Sequence, residues 1–116
     1  MKTITADQLF RRLEARDPIR LIDVLSRDHY ETVHLPGAEN IPGDELPERA
    51  PQLLDRDETI VVYCSSFKCQ KSPRAAAALD QLGYRDVHDF EGGIAEWRRS
   101  GRPLERAQDR EAQRAA

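Results

Sequence analysis

The chain has few of the residues on which disulfide scaffolds, membrane spans and nucleic-acid binders depend. Only two of its 116 residues are cysteine, too few for a disulfide scaffold and suited to a reducing compartment. No apolar run approaches the roughly 20 residues of a membrane span, and residues 1–5 lack the apolar stretch of a secretory signal. The net charge of −3 argues against nucleic acid as the main partner. We therefore expect a cytoplasmic protein with no membrane and no nucleic-acid partner.

Apolar and helical patterns alternate along a chain whose length fits one domain. A largely apolar, partly β-branched segment predicts a strand at 19–25, and a continuous apolar run predicts one at Thr59–Tyr63. A short strand is also predicted at Val87–Phe90, and a short extended piece within 35–42. Helical patterns lie between them, at 5–15, 26–31, 43–54, 72–82 and 94–99. Such alternation predicts an α/β domain with a mainly parallel sheet. We expect this domain to span residues 1–104, followed by a polar, mobile tail at 105–116.

Capping signals mark where the helices should begin. Thr5 with Gln8 has the spacing of a capping box, and Ser26 can cap the second helix. Ser72 followed by Pro73 predicts a helix with serine at the N-cap and proline at the first position. Three further residues are expected to have structural roles. We expect Asp23 to hold a loop by hydrogen bonds, His34 to be a satisfied histidine, that is, one whose ring nitrogens are hydrogen-bonded, and Trp97 to lie in the core.

Cys64 stands directly after the strongest strand signal, where parallel α/β sheets place their ligands. The loop after it leads into the helix start at Ser72, so its amide N–H groups can form a cradle for an anion or a thiolate. The only charged side chains between Thr59 and Leu79 are cations: Lys68, Lys71 and Arg74. We therefore expect a reactive cysteine whose pKa is lower than that of a free thiol. The alternative is an inert, buried cysteine that merely ends a core strand.

Three segments, in order, resemble the signatures of the rhodanese family and together cover about residues 4–104. They are Asp23-Val24 followed by His34–Pro42, then Val61–Cys64, then Phe90–Trp97 with Gly101 and Pro103. The resemblance implies a three-layer α/β fold, with a five-stranded parallel sheet flanked by helices, and sulfurtransferase chemistry through a persulfide on Cys64. The sulfane sulfur would come from a small anionic donor, such as thiosulfate or a persulfide, and pass to cyanide or a thiol. A protein acceptor is also left open, and the resemblance implies neither a metal nor an organic cofactor.

The loop after Cys64 departs from the family pattern. It is about two residues longer than usual and contains a second cysteine, giving C-x-x-x-x-C. Leu25 replaces the usual arginine after Asp-Val, and Val33 replaces a common glycine before His34. We predict that the loop residues bind substrate: Ser65, Ser66, Phe67, Lys68, Cys69, Gln70, Lys71 and Ser72. Cys69 is also a candidate resolving thiol; the alternative is that it only packs or faces solvent.

Other chemistries fit the loop less well. A phosphatase or arsenate reductase of the same fold needs an arginine fork six residues after the cysteine, where this chain has Gln70. A non-catalytic rhodanese recognition module would not need the cysteine and basic loop that are present. Zinc is not expected, since no further Cys/His pair completes four ligands, and residues 64–72 contain no glycine for a P-loop.

Overall fold

The computed structural model describes residues 2–106, which form a five-stranded parallel sheet covered by helices on both faces. The strands are β1 (Lys2–Thr3), β2 (Ile19–Asp23), β3 (Glu39–Asn40), β4 (Thr59–Tyr63) and β5 (Asp86–Phe90). Their order across the sheet is β1-β5-β4-β2-β3. The helices are α1 (Ala6–Glu14), α2 (Arg27–Thr32), α3 (Leu46–Leu53), α4 (Lys71–Gln81) and α5 (Gly93–Arg99). The parallel α/β fold expected from the sequence is confirmed.

Strand β4 is the centre of the sheet and of the core. It pairs along its whole length with β2 on one side and β5 on the other. Ile60 to Tyr63 are fully buried, as the continuous apolar run predicts for a strand covered on both faces. The carboxyl end of this strand is therefore surrounded by the ends of two neighbours, and Cys64 is the next residue.

The ends of the strands differ from the predicted bounds. β2 ends at Asp23 rather than residue 25, because the Asp23 carboxylate accepts the Leu25 N–H at 2.9 Å and turns the chain out of the sheet. β5 begins one residue early, at Asp86. β1 was not predicted; its two residues are exposed, so the sequence shows no apolar run there.

Two of the three predicted helix caps are confirmed. Thr5 and Gln8 form the full capping box of α1, and the Ser26 hydroxyl accepts the His29 N–H at the start of α2. The predicted cap at Ser72 is wrong, since α4 begins at Lys71 with Gln70 in the cap position. Ser72 lies inside the first turn, and its N–H bonds to the sulfur of Cys64 instead of a neighbouring cap.

The C-terminal part of the described chain packs back on the domain. Trp97 is buried as predicted, and its indole N–H donates to the Pro103 carbonyl at 2.9 Å. Glu105 pairs with His34 through two backbone hydrogen bonds, both 2.9 Å, in an isolated antiparallel bridge. The expected mobile tail otherwise falls mostly on residues 107–116, which lie outside the described residues.

Residues 2–106 contain neither a membrane-spanning helix nor a cluster of metal-binding side chains. None of the helices there has both the length and the apolar character that crossing a bilayer requires. Over the same residues, no three His, Cys, Asp or Glu side chains are grouped so that they could hold a metal ion.

Candidate active site

Cys64 occupies a closed position at the carboxyl end of β4. Its side chain is fully buried, and its sulfur lies 3.4 Å from the hydroxyl oxygen of Ser72 and 3.6 Å from the carbonyl oxygen of Cys69. The Ser72 N–H, from the first turn of α4, donates back to the same sulfur at 3.4 Å. Ser72 therefore contacts Cys64 with both a backbone donor and a side-chain hydroxyl, a pairing that can support either the thiol or the thiolate.

A buried carboxyl, that of Asp89, lies behind Ser72. Asp89 is only 2% exposed, and the Ser72 hydroxyl hydrogen-bonds to its side chain. Burial raises the pKa of Asp89, although the Ser72 hydroxyl opposes this effect and Glu91 adds to it. The other carboxyl oxygen, Oδ1, has no hydrogen-bond partner. The result is a buried series of polar groups running from Cys64 through Ser72 to Asp89.

Asp89 did not emerge from the sequence, although a signal was present. It is an acid inside a strand that is otherwise buried, and the register places it beside Val62 of β4. An acid in such a position costs folding free energy unless it is paired, so its presence points to the nearby site.

Helix α5 fixes the backbone of the cysteine. The Ile94 N–H donates to the Cys64 carbonyl at 3.1 Å, and the Ala95 N–H donates to the Ser65 carbonyl at 2.9 Å. Gly93 makes this approach possible: its φ is +55°, and a Cβ atom there would overlap the Cys64 carbonyl. The glycine pair after β5 is therefore required by close contact with the site and not only by a turn.

The loop uses part of its hydrogen-bonding capacity internally. The Cys69 N–H donates to the Ser66 carbonyl at 3.0 Å, and the Lys68 N–H donates to the Ser66 hydroxyl at 3.3 Å. These two amides are thus occupied within the loop and do not contribute to the cradle expected around Cys64.

Cys69 is partly exposed. Several neighbouring groups affect its sulfur, more than its position in the middle of the loop suggested. The neighbouring groups that favour its thiolate are the Cys64 thiol, the backbone N–H groups of Lys71 and Ser65, and the Ser65 hydroxyl. Partial burial acts in the opposite direction, but together these groups lower the pKa of Cys69. The loop therefore stabilises a thiolate at Cys69.

The expectation that Cys64 has a lowered pKa is wrong for the free dithiol. Burial raises the pKa of Cys64, and its hydrogen bond to Cys69 raises it further, against the smaller opposing effects of the Ser72 hydroxyl and N–H. The three loop cations do not supply the expected attraction, because Lys68, Lys71 and Arg74 are all exposed and none contacts the buried sulfur.

The exposed side chains of the loop and α4 lie either in an open groove or at the surface. Lys71 and Arg74 line an open groove of about 790 Å³, whose opposite wall carries the acids Asp28, Asp44 and Glu45. Lys68 and Gln70 are exposed at the surface, and Phe67 is 59% exposed, unusual for a phenylalanine. The structure thus brings Cys64, Cys69, Ser65 and Ser72 together and leaves Phe67, Lys68 and Gln70 outside that cluster.

The two polar residues expected to be structural are buried away from solvent. Asp23 accepts a hydrogen bond from the Leu25 N–H, as expected of a residue that holds a loop, and burial raises its pKa. His34 stacks on Tyr30 with ring centroids 3.9 Å apart, and its Nδ1 lies 2.6 Å from the Tyr30 carbonyl. The expectation of a satisfied histidine holds for Nδ1 only, because the buried Nε2 has no hydrogen-bond partner within residues 2–106 and lies 3.5 Å from the Glu105 carboxylate.

Comparison with known proteins identifies the architecture. The family model described as the Rhodanese-like domain matches residues 5–100. The chain belongs to this family. The rhodanese-like Alr3790 protein of Anabaena has a solved structure that superimposes with a TM-score of 0.84 at 29% identity, covering 97% of this chain and 100% of that one. A thiosulfate sulfurtransferase from Pseudomonas aeruginosa superimposes with a TM-score of 0.81 at 33% identity, over 91% of this rhodanese-like chain and 20% of that protein.

Curated relatives of this rhodanese-like chain have mixed functions. The HTH-type transcriptional regulator Rv0324 of Mycobacterium tuberculosis is 40% identical over 103 residues, which are 88% of this chain and 44% of that protein. The tRNA uridine(34) hydroxylase of Sodalis glossinidius is 35% identical over 95 residues, 76% of this chain and 26% of that protein. The chain thus spans less than half the length of these two relatives.

Proposed function

We propose that this protein is a sulfurtransferase that carries a sulfane sulfur as a persulfide on Cys64. The observation that carries the proposal is the position of Cys64: at the carboxyl end of the central strand of a rhodanese-like domain, with the Ser72 N–H and hydroxyl both on its sulfur. The structural similarity to a thiosulfate sulfurtransferase supports the same reaction class. The cysteine is therefore the group on which we expect sulfur to be held.

The reaction has two displacement steps. The Cys64 thiolate attacks the outer sulfur of thiosulfate, the sulfur–sulfur bond of the donor breaks, and sulfite leaves with the bonding electron pair. The persulfide on Cys64 is then attacked at its outer sulfur by cyanide or a thiolate, and Cys64 leaves as a thiolate. Atoms and charge balance in both steps, and no metal or cofactor enters the scheme.

Ser72 and Asp89 give the buried thiol a route for its proton. A thiol with a raised pKa is mostly protonated at neutral pH, so it must lose that proton before it attacks. The Cys64 sulfur, the Ser72 hydroxyl and the Asp89 carboxyl follow one another by hydrogen bonds, and a carboxyl with a raised pKa is a better proton acceptor than an ordinary one. In this proposal Asp89 acts on Cys64 only through Ser72.

The partners follow from the same chemistry. The donor is a small anion and the acceptor is cyanide, a small thiol or a cysteine of another protein. Exposed Lys68, and Lys71 and Arg74 in the groove beside the loop, favour anionic donors by long-range attraction. A cytoplasmic setting suits this proposal, because both cysteines are free thiols and the chemistry requires them reduced.

Single-cysteine variants test the proposal. Thiocyanate formation from thiosulfate and cyanide should be present in the wild type and abolished in Cys64→Ser. Cys69→Ser serves as the matched control, because it removes the other thiol of the same loop and should still accept one sulfur atom, a gain of about 32 Da in intact mass. Activity that survives in Cys64→Ser and disappears in Cys69→Ser would place the nucleophile at Cys69 and contradict the proposal.

The same preparation separates the other functional classes. Turnover of a generic aryl phosphate without sulfur loading would indicate phosphatase chemistry, which the sequence disfavours by placing Gln70 where an arginine is needed. A folded wild type that gains no sulfur from thiosulfate or from glutathione persulfide would indicate a recognition module.

A further inference from the structure

The two cysteines of the loop are in contact with each other, which a single-cysteine mechanism does not require. The Cys64 sulfur lies 3.6 Å from the Cys69 carbonyl oxygen, and burial and the neighbouring Cys69 side chain both raise the pKa of Cys64. One member of the pair is fully buried and the other is partly exposed. The atom of Cys64 that Cys69 contacts is Sγ, which becomes the inner sulfur once a persulfide forms.

We propose that Cys69 resolves the Cys64 persulfide by attacking its inner sulfur, so that the protein releases sulfide and closes a Cys64–Cys69 disulfide. This inference rests on the proposed function, because it needs the persulfide. It adds a second activity, thiol-dependent reduction of sulfane sulfur to sulfide, to the transfer reaction. The two activities compete for the same loaded enzyme.

The resolving step balances without an additional oxidant. The sulfur of Cys69 bonds to the inner sulfur of Cys64–S–S⁻, the persulfide bond breaks, and the outer sulfur leaves with the bonding pair. The proton of the Cys69 thiol ends on the leaving sulfur, which departs as HS⁻. Two molecules of a thiol reductant then reduce the new disulfide, become a disulfide themselves, and return both cysteines to thiols.

The surroundings of Cys69 favour it as the attacking group. Its backbone already lies 3.6 Å from the Cys64 sulfur, and the N–H groups of Lys71 and Ser65 and the Ser65 hydroxyl lower the pKa of Cys69. An attacking thiol is most effective when its pKa is near the ambient pH. Partial exposure also lets an external thiol reach Cys69 and reduce the disulfide, which the buried Cys64 would not allow.

The alternative attack gives a different product. If Cys69 attacked the outer sulfur, the persulfide would move to Cys69 and no sulfide would be released. The structure favours attack at the inner sulfur, because the Cys69 carbonyl oxygen already lies 3.6 Å from Sγ of Cys64 and so brings Cys69 beside that atom. The disulfide then requires the two sulfurs to approach to about 2.05 Å.

The test uses reduced, thiol-free full-length protein with one equivalent of thiosulfate, and separately with one equivalent of glutathione persulfide. In the wild type we expect about one equivalent of sulfide and an intact mass about 2 Da below the reduced protein, the mark of a disulfide. Cys69→Ser should instead keep a sulfur adduct of about 32 Da on Cys64, with sulfide reduced at least about tenfold. Cys69→Ala repeats the test without a hydroxyl at that position.

Each remaining outcome decides between the two proposals. A wild type that keeps the adduct on Cys64 and releases no sulfide overturns the resolving role but leaves the transfer proposal intact. An adduct mapped to Cys69 by peptide mass spectrometry overturns it in favour of a relay. If neither the wild type nor a folded Cys69→Ser gains sulfur or forms a disulfide, the transfer proposal fails and the resolving role fails with it.

Discussion

Acidic residues have opposite environments at the two edges of the parallel sheet, the amino-terminal edge where the strands begin and the carboxyl-terminal edge where they end. At the amino-terminal edge, Arg20 lies between Glu39 and Glu58, at 2.7 Å and 3.1 Å, and Asp86 accepts the Thr59 hydroxyl at 2.7 Å. At the carboxyl-terminal edge, Asp23 and Asp89 are buried, and each has one carboxyl oxygen without a hydrogen-bond partner.

Strand β5 contains one aspartate of each kind, three positions apart. Hydrogen bonds from Thr59 and His88 lower the pKa of Asp86 at its start, whereas burial raises the pKa of Asp89 near its end. The first arrangement stabilises the folded protein, and the second opposes folding at neutral pH. Unsatisfied polar groups concentrated beside Cys64 are typical of a site where function is retained at the expense of stability.

The largest effect on stability is expected at Gly93, where two backbone segments of the carboxyl-terminal edge pack most closely. Gly93→Ala introduces a Cβ at φ +55° that overlaps the Cys64 carbonyl, and should lower the free energy of unfolding by about 3 kcal/mol, from backbone strain and overlap together. Urea denaturation measures the change. Gly101→Ala is the matched control, because φ is +84° there but nothing lies within 4 Å of the added Cβ, so about 1 kcal/mol is expected. Equal losses in the two variants would contradict the close contact between α5 and the cysteine.

The next effect tests the contrast between the two aspartates directly. Asp89→Asn should raise the free energy of unfolding at pH 7 and above, on the order of 1 kcal/mol, since it removes a buried charge while keeping an oxygen for Ser72. The folded-state pKa of Asp89 is raised, so this gain should shrink as the pH falls and vanish below the unfolded pKa of about 3.9.

Asp86→Asn is the comparison variant and should have the opposite sign. The lowered pKa of Asp86 means that its stabilising effect is present above the unfolded pKa and is lost as the pH falls through the folded value. We expect a loss of up to about 1 kcal/mol at pH 7, because the group is partly exposed. Thermal denaturation of both variants between pH 4 and 8 checks the signs; the same sign in both would remove the distinction between the edges.

Much of the fold was predictable because it depends on local signals that are strong in this chain. Thr59–Tyr63 is a continuous apolar run, and its position at the centre of the sheet follows from that pattern. The capping box at Thr5 and Gln8 needs only four consecutive residues. β1, in contrast, has two exposed residues and exists only because it pairs with β5, a contact that no local pattern shows.

The site was less predictable because its properties come from contacts between distant segments. Cys64 could be placed at the strand end from sequence, but its burial depends on α4 and on the loop that folds over it. The lowered pKa expected from three nearby cations assumed that the charges reach the sulfur, whereas all three are exposed. Asp89 is visible in the sequence as an acid within a strand, but its place in the site depends on the β4–β5 pairing, which no local pattern shows.

The smallest expected effect on stability concerns the cations at the carboxyl-terminal edge. Replacing both Lys68 and Lys71 by alanine should change the free energy of unfolding by less than about 0.5 kcal/mol, because both side chains are exposed. The same change should raise KM for thiosulfate by about threefold to tenfold at low ionic strength, since the two charges attract the anion, and the difference should shrink as salt is added.

The control removes the same number of charges at the far end of α5. Arg98 and Arg99 are exposed in the last turn of that helix, and their double alanine variant should leave KM for thiosulfate within about twofold of the wild type. A persulfide donor with no net charge, made zwitterionic by an ammonium group, should be used equally well by all three proteins. If the lysine variant loses as much with this donor as with thiosulfate, these lysines act by shaping the loop and not by attracting the donor.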